Sequence, residues 1–149
     1  MRNSGNYDER QLIEQGRVFK QAFFLLSILI VVNGFLNQIV GIVWADDYCS
    51  EFILLIISAF YATIRLICKD AYNNMDCSKI NIQLILVGVL GLLQLCSNAI
   101  DIATGKTSFI LKGRLTIHGV WIFLGSGMLL ICFVHLVKVL KDKKVDKNE

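Results

Sequence analysis

The apolar and polar positions of this chain alternate in blocks rather than with a short period. Four uninterrupted apolar runs stand out: Ala22 to Trp44, Phe52 to Cys68, Ile82 to Ile100 and Leu115 to Val137. Crossing the hydrocarbon core of a bilayer takes about 20 helical residues, with roughly 17–25 tolerated. Backbone polar groups in lipid must find partners within the chain, so apolar runs of this length predict helices. The pattern divides the chain into a cytoplasmic amphipathic helix over 1–20, a first spanning helix over 21–44, an outer loop over 45–51 and a second helix over 52–69. A cytoplasmic loop over 70–80, a third helix over 81–101, an outer loop over 102–114, a fourth helix over 115–137 and a lysine-rich tail over 138–149 complete it. The expected fold is an all-α, integral membrane four-helix bundle of antiparallel up-down topology. Its short connections predict that consecutive helices pack side by side.

Composition agrees with this reading. The 149 residues are 55% hydrophobic and 18% charged, against roughly a quarter charged in soluble domains. Secretory signals have apolar centres of roughly 7–15 residues. The first run is longer, and it carries Asn33, Asn37 and Gln38. It therefore reads as a retained helix. Proline is absent, which predicts helices without proline kinks. Gly34, Gly41, Gly88, Gly91, Gly125 and Gly127 are expected to let helices approach closely.

Charge sets the orientation. Arg2, Arg10, Arg17 and Lys20 precede the first run, and Arg65, Lys69 and Lys79 flank the second connection. Lys138, Lys141, Lys143, Lys144 and Lys147 follow the last run. Basic residues accumulate on the cytoplasmic side, so both termini are expected there. Lys106, Lys112 and Arg114 in the last outer loop run against that bias.

Polar side chains within apolar runs are the candidates for chemistry, because burying them in lipid is costly. Gln94, Asn98 and Asp101 recur at helical spacing on one face. Asn33 and Asn37 stand one turn apart on the first helix, and His118 opens the fourth. At 1.5 Å rise per residue, Asn37 lies about 10 Å and His118 about 6 Å below the outer rim. Two readings of these six residues stay open. They form an outward-facing polar vestibule that binds a small solute or ion, or they join helices through amide hydrogen bonds.

Several chemistries are disfavoured. His118 and His135 lie about 25 Å apart along one helix, so they cannot share a haem iron. The five cysteines include no Cys-x-x-Cys pair, which argues against thiol exchange and a structural zinc site. Helix 1 lacks the carboxylate that proton-coupled four-helix drug exporters use. No catalytic residue, metal site or cofactor is expected, and the chain reads as a non-enzymatic protein.

The stretch ahead of the first run follows helix rules. Asn6 with Glu9 suits a reciprocal capping box. Asp8 and Glu9 occupy the first turn, where the helix dipole favours acids. Leu12, Ile13, Gly16, Phe19 and Phe23 make an apolar stripe, so the segment either lies on the inner surface or continues into helix 1. Capping and pairing leave Arg10 and Gln11 unexplained.

The motif Asp8-Glu9-Arg10-Gln11, a short spacer and an apolar helix together resemble the opening of uncharacterised small bacterial multi-pass membrane proteins. The resemblance covers roughly the first 40 residues and the overall architecture. It implies a bacterial inner-membrane protein and contributes no catalytic residues. Some such families are thought to work alongside small DNA-binding regulators. That makes Asp8, Glu9, Arg10 and Gln11 a candidate cytoplasmic docking surface. The function expected is interaction or regulation; the alternative is binding or transport of a small solute or ion. Candidate partners are the lipid bilayer, a cytoplasmic regulator protein and further copies of the chain, and nucleic acid is not among them.

Overall fold

The computed structural model describes residues 9–46, 48–72 and 81–145. The fold is all-α, with four helices that are each long and apolar enough to cross a membrane. Helix α1 spans Glu9–Phe35 and runs on through a π-helical turn over Leu36–Val40. Helices α2, α3 and α4 span Cys49–Cys68, Ile82–Ala103 and Ile117–Val145. Thus the amphipathic stretch and the first apolar run form one rod, because no proline or unsatisfied turn interrupts its backbone. At 1.5 Å per residue the 32-residue rod is about 48 Å long, so a third of it extends beyond a core of about 30 Å. The lysine-rich tail likewise continues α4 as far as Val145.

The helix ends have local causes. Gly41 adopts a left-handed φ of 75° and its N–H returns to the Leu36 carbonyl, which stops the π-helical turn. Gly105, at φ 70°, ends α3. Its N–H reaches Ile102 O at 3.0 Å while Lys106 N–H reaches Asp101 O at 3.0 Å, the doubly bonded Schellman closure. Asn81 caps α3, its Oδ1 accepting from Gln83 N–H at 2.9 Å.

The connection between α3 and α4 contains a hairpin that hydropathy alone does not reveal. Strands β1 (Ile110–Leu111) and β2 (Arg114–Leu115) pair antiparallel around Lys112-Gly113. Both turn residues have positive φ, 51° and 78°, as two-residue type I′ turns require. Thr116 closes the loop by donating its hydroxyl to Ser108 O at 2.7 Å. Lys112 is strained in this position. A left-handed conformation costs an ordinary residue about 1 kcal/mol, and asparagine relieves much of that. Lys112→Asn is expected to raise stability by about 0.5 kcal/mol in a detergent-micelle thermal melt. A lower melting point would count against the turn.

Helix neighbours differ from the consecutive order expected. The substantial helix contacts among the described residues are α1 with α2, α2 with α4, and α4 with α3. Helices α2 and α4 run parallel, with Phe60 against Gly127 and Ile67 against Lys138. Helix α4, rather than α3, is therefore the second main neighbour of α2. Glycine positions explain the choice. A Cβ on Gly88 would lie 2.7 Å from Cys132 Cβ, and one on Gly91 would lie 2.8 Å from the Gly125 carbonyl oxygen. A Cβ on Gly127 would overlap the Phe60 ring. These contacts let α4 press against both neighbours, whereas Gly34 has open space beside it and Gly41 serves the turn.

Small cores follow the same row. Val18 and Ala22 of α1 pack with Ala62 and Leu66 of α2, and Ile67, Leu84 and Ile131 join α2, α3 and α4. Phe19, Phe23, Ile28 and Val31 on α1, and Leu86, Leu90 and Leu93 on α3, are exposed. Apolar side chains on the outside of a helical assembly suit lipid as the surrounding solvent.

Candidate functional site

Two polar junctions tie the helices together, one at each end. The first lies where α1 hands over to α2. Asn33 is buried, and its Oδ1 accepts from Trp44 Nε1 at 2.8 Å. Its Nδ2 approaches Ser50 Oγ at 3.4 Å, and Ser50 donates to Glu51 Oε2 at 2.8 Å. The Trp44 carbonyl in turn accepts from Leu115 N–H at 2.9 Å, and Asp46 N–H donates to Leu115 O at 2.9 Å. Ala45 thereby forms a parallel bridge with Leu115. Asn33 thus fixes the indole, and the indole's own residue clips the first connection to the start of α4.

The other five vestibule candidates are distributed along the row. Asn98 is buried and donates to Gln94 O of its own helix at 2.8 Å. Gln94, Asp101 and His118 are half-buried. Gly88 opposes Cys132 and Leu95 opposes Gly125, a register that brings Asp101 level with the start of α4 near His118. Gln94, Asn98, Asp101 and His118 therefore belong to one end of the α3–α4 pair. Asn33 instead approaches Ser50 of α2 and holds Trp44, whose carbonyl is bonded to Leu115 at the start of α4. Among the described residues no hydrogen bond joins Asn33 directly to Gln94, Asn98, Asp101 or His118. Asn37 sits within the π-helical turn, and its buried Oδ1 has no hydrogen-bond partner.

The second junction occupies the opposite end, where α1 and α3 begin and α2 and α4 finish. Gln11 Nε2 donates to Asp70 O at 3.0 Å, and Gln15 Nε2 donates to Ala71 O at 2.7 Å. Lys138 Nζ donates to Ile67 O at 2.6 Å and pairs with the Asp70 carboxylate. Gln11 and Gln15 thus bond carbonyls of the turn that follows α2, and Lys138 adds a donor to the Ile67 carbonyl in the last turn of α2. Lysine at this end also complements the helix dipole. Asp70 holds a left-handed φ of 56°, which turns the chain out of α2 beneath Gln11. One turn before Lys138, His135 is 2% exposed, and its Nε2 accepts the Asn81 N–H at 3.0 Å. Helix α4 thus holds both α2's exit and α3's start.

The docking motif divides along these lines. Asp8 and the Asn6 cap lie outside the described residues. Gln11 points inward to α2, in line with Gln15, Val18 and Ala22 on one helical face. Glu9 and Arg10 line an open hollow with Ile13, Glu14 and Arg17, and Arg10 and Glu14 also border a smaller hollow with Gln11, Lys69 and Asp70. Arg17 donates to Glu14 Oε1 at 2.8 Å. Spacing on α1 carries this division, since positions 11, 15, 18 and 22 fall on one face. Gln15, Asp70, His135 and Lys138 were missed as partners, because their contacts connect residues more than fifty positions apart.

Among the described residues no group of three or more His, Cys, Asp or Glu side chains converges on one point, and Cys68, Cys96 and Cys132 are free thiols. Comparison with curated proteins and with solved structures returned no match. A family model does match, over residues 1–149, so the chain belongs along its whole length to a family of unknown function (DUF6773).

Proposed function

We propose that this is a non-enzymatic interaction or regulatory protein of a bacterial inner membrane, with both termini in the cytoplasm. Its docking surface is the outward face of the first turns of α1. One observation carries the reading: Gln11 and Gln15 are committed to carbonyls of the turn after α2, while Glu9, Ile13 and Arg17 line an open hollow whose other walls, Arg10 and Glu14, extend toward Asp70. Mixed charges around an apolar centre suit a protein surface, since a polar rim around an apolar patch is how protein contacts are commonly built. The distribution of basic residues supports a cytoplasmic position for this face.

The partner on this reading is a soluble cytoplasmic regulator. A photo-crosslinking side chain placed at Arg10 of the full chain, in intact cells, is expected to trap one discrete soluble protein. The same group at Phe23, on the exposed apolar face, is expected to trap lipid alone. Arg10→Glu is expected to abolish a protein adduct captured from position 13 without changing the melting point. Gln15→Ala is expected to lower stability by about 1 kcal/mol, the net value of one hydrogen bond. Identical adducts from positions 10 and 23, or none from position 10, would sink the docking assignment.

A further inference from the structure

A second hollow, separate from the docking face, opens between the end of α2 and the last turns of α4. Its volume is about 520 Å³, and its lining changes character along its length. Phe133 and Val137 form an apolar wall and are 63% and 47% exposed. Asp70, Lys138, Lys141 and Asp142 form the polar wall one to two turns further along. The change occurs where the apolar run of α4 meets its lysine-rich extension, the level of the lipid headgroups if α4 spans the bilayer.

The charges in the hollow are not equivalent. Lys138 is already committed to Asp70 and to the Ile67 carbonyl. Lys141 and Asp142 make no ion pair among the described residues. The free complement is therefore one cation beside one carboxylate, with an apolar strip leading up to them. Such a pair matches a ligand that carries one phosphate and one ammonium at the end of a hydrocarbon chain. A net-anionic headgroup would meet Asp142 unfavourably. A quaternary ammonium would offer that carboxylate no N–H, whereas a primary ammonium offers three donors.

We infer that the Phe133–Val137–Lys141–Asp142 hollow is a binding site for a phospholipid with a primary-amine zwitterionic headgroup, phosphatidylethanolamine being its chemical type. Lys141 takes the phosphate, Asp142 takes the ammonium, and an acyl chain lies along Phe133 and Val137. Cys68 at the end of α2 borders the same hollow, close to where Lys138 joins α2 to α4. The inference rests on the reading that α4 spans the membrane.

Two measurements separate that reading from the site. Resistance of the full chain to alkaline carbonate extraction tests the span; release into the soluble fraction would overturn the span and the site with it. The second uses the purified full chain in detergent, offered equal amounts of phosphatidylethanolamine, phosphatidylcholine and phosphatidylglycerol and read by native mass spectrometry. Retention of phosphatidylethanolamine is expected to exceed that of the other two by about tenfold, the ratio one well-made charged hydrogen bond supplies. Asp142→Asn is expected to bring phosphatidylethanolamine down to the phosphatidylcholine level. Lys141→Gln is expected to lower all three together. Both side chains lie at the rim, and an unchanged melting point without lipid checks that each variant is folded. Equal retention of the three lipids by the unaltered chain, a preference for phosphatidylglycerol, or a phosphatidylethanolamine preference that survives Asp142→Asn would overturn the site.

Discussion

Gly91→Leu is expected to destabilise the protein by about 3 kcal/mol, near the top of the range for overfilled contacts. The obstacle at this position includes backbone. A Cβ on Gly91 would stand 2.8 Å from the Gly125 carbonyl oxygen and 2.7 Å from Met128 Cβ, and a carbonyl cannot swing aside as a side-chain tip can. The helices must separate, and separation breaks the contact that places Gly88 on Cys132 and Gly125 on Leu95. In lipid, little hydrophobic force remains to hold separated helices together, because the tails are as apolar as the side chains. Gly34→Leu, at a position with open space, is the matched control. Unfolding by sodium dodecyl sulfate titrated into mixed micelles, followed by circular dichroism, should rank Gly91→Leu far below Gly34→Leu. Equal transition points would refute close α3–α4 contact as a main source of stability.

His135→Ala is expected to cost a similar amount, about 3 kcal/mol, by a different route. The imidazole is among the least exposed side chains, and its Nε2 accepts the Asn81 N–H. Truncation opens a cavity and removes that acceptor from the start of α3. A neutral imidazole that accepts at Nε2 carries its proton on Nδ1. Nδ1 is buried without a hydrogen-bond partner, so the residue is held for its acceptor and its shape. His135→Gln, whose carbonyl oxygen can accept the same N–H, should recover at least half of the loss. Should His135→Leu, which fills the space without an acceptor, equal His135→Gln in the same titration, the Asn81 bond would be energetically idle.

These two positions show which parts of the molecule were legible in its residues. Run length and the scarcity of charge within runs determine four helices, because an unpaired backbone in lipid is prohibitively costly. The packed face of α1 was not read: the stripe of Leu12, Ile13, Phe19 and Phe23 is exposed, and α1 meets its neighbour through Gln11, Gln15, Val18 and Ala22. Which helix they would touch was not readable, since nothing in Gln11 names Asp70, 59 positions away. The glycines signalled close approach, but Gly127 could not reveal that its partner is Phe60 of α2. The hairpin at Lys112-Gly113 was missed because hydropathy carries no turn signal, although a glycine in the second place of a two-residue loop is one.

The vestibule illustrates the same boundary. Helical spacing groups Gln94, Asn98 and Asp101 on α3, and depth sets Asn37 and His118 toward the same end. Depth, however, is a single coordinate, and lateral order is independent of it. The contact order α1–α2–α4–α3 places α2 beside Asn33 and leaves Trp44 and Ser50 to satisfy its amide. Sequence by itself therefore determined how many helices there are, how they alternate and which of their faces are polar, because these follow from local burial cost and helical geometry. Tertiary structure alone decided which faces meet, because that depends on the fit of Gly91 to Gly125, of Gly127 to Phe60 and of Lys138 to the end of α2, contacts between distant residues that no local period encodes.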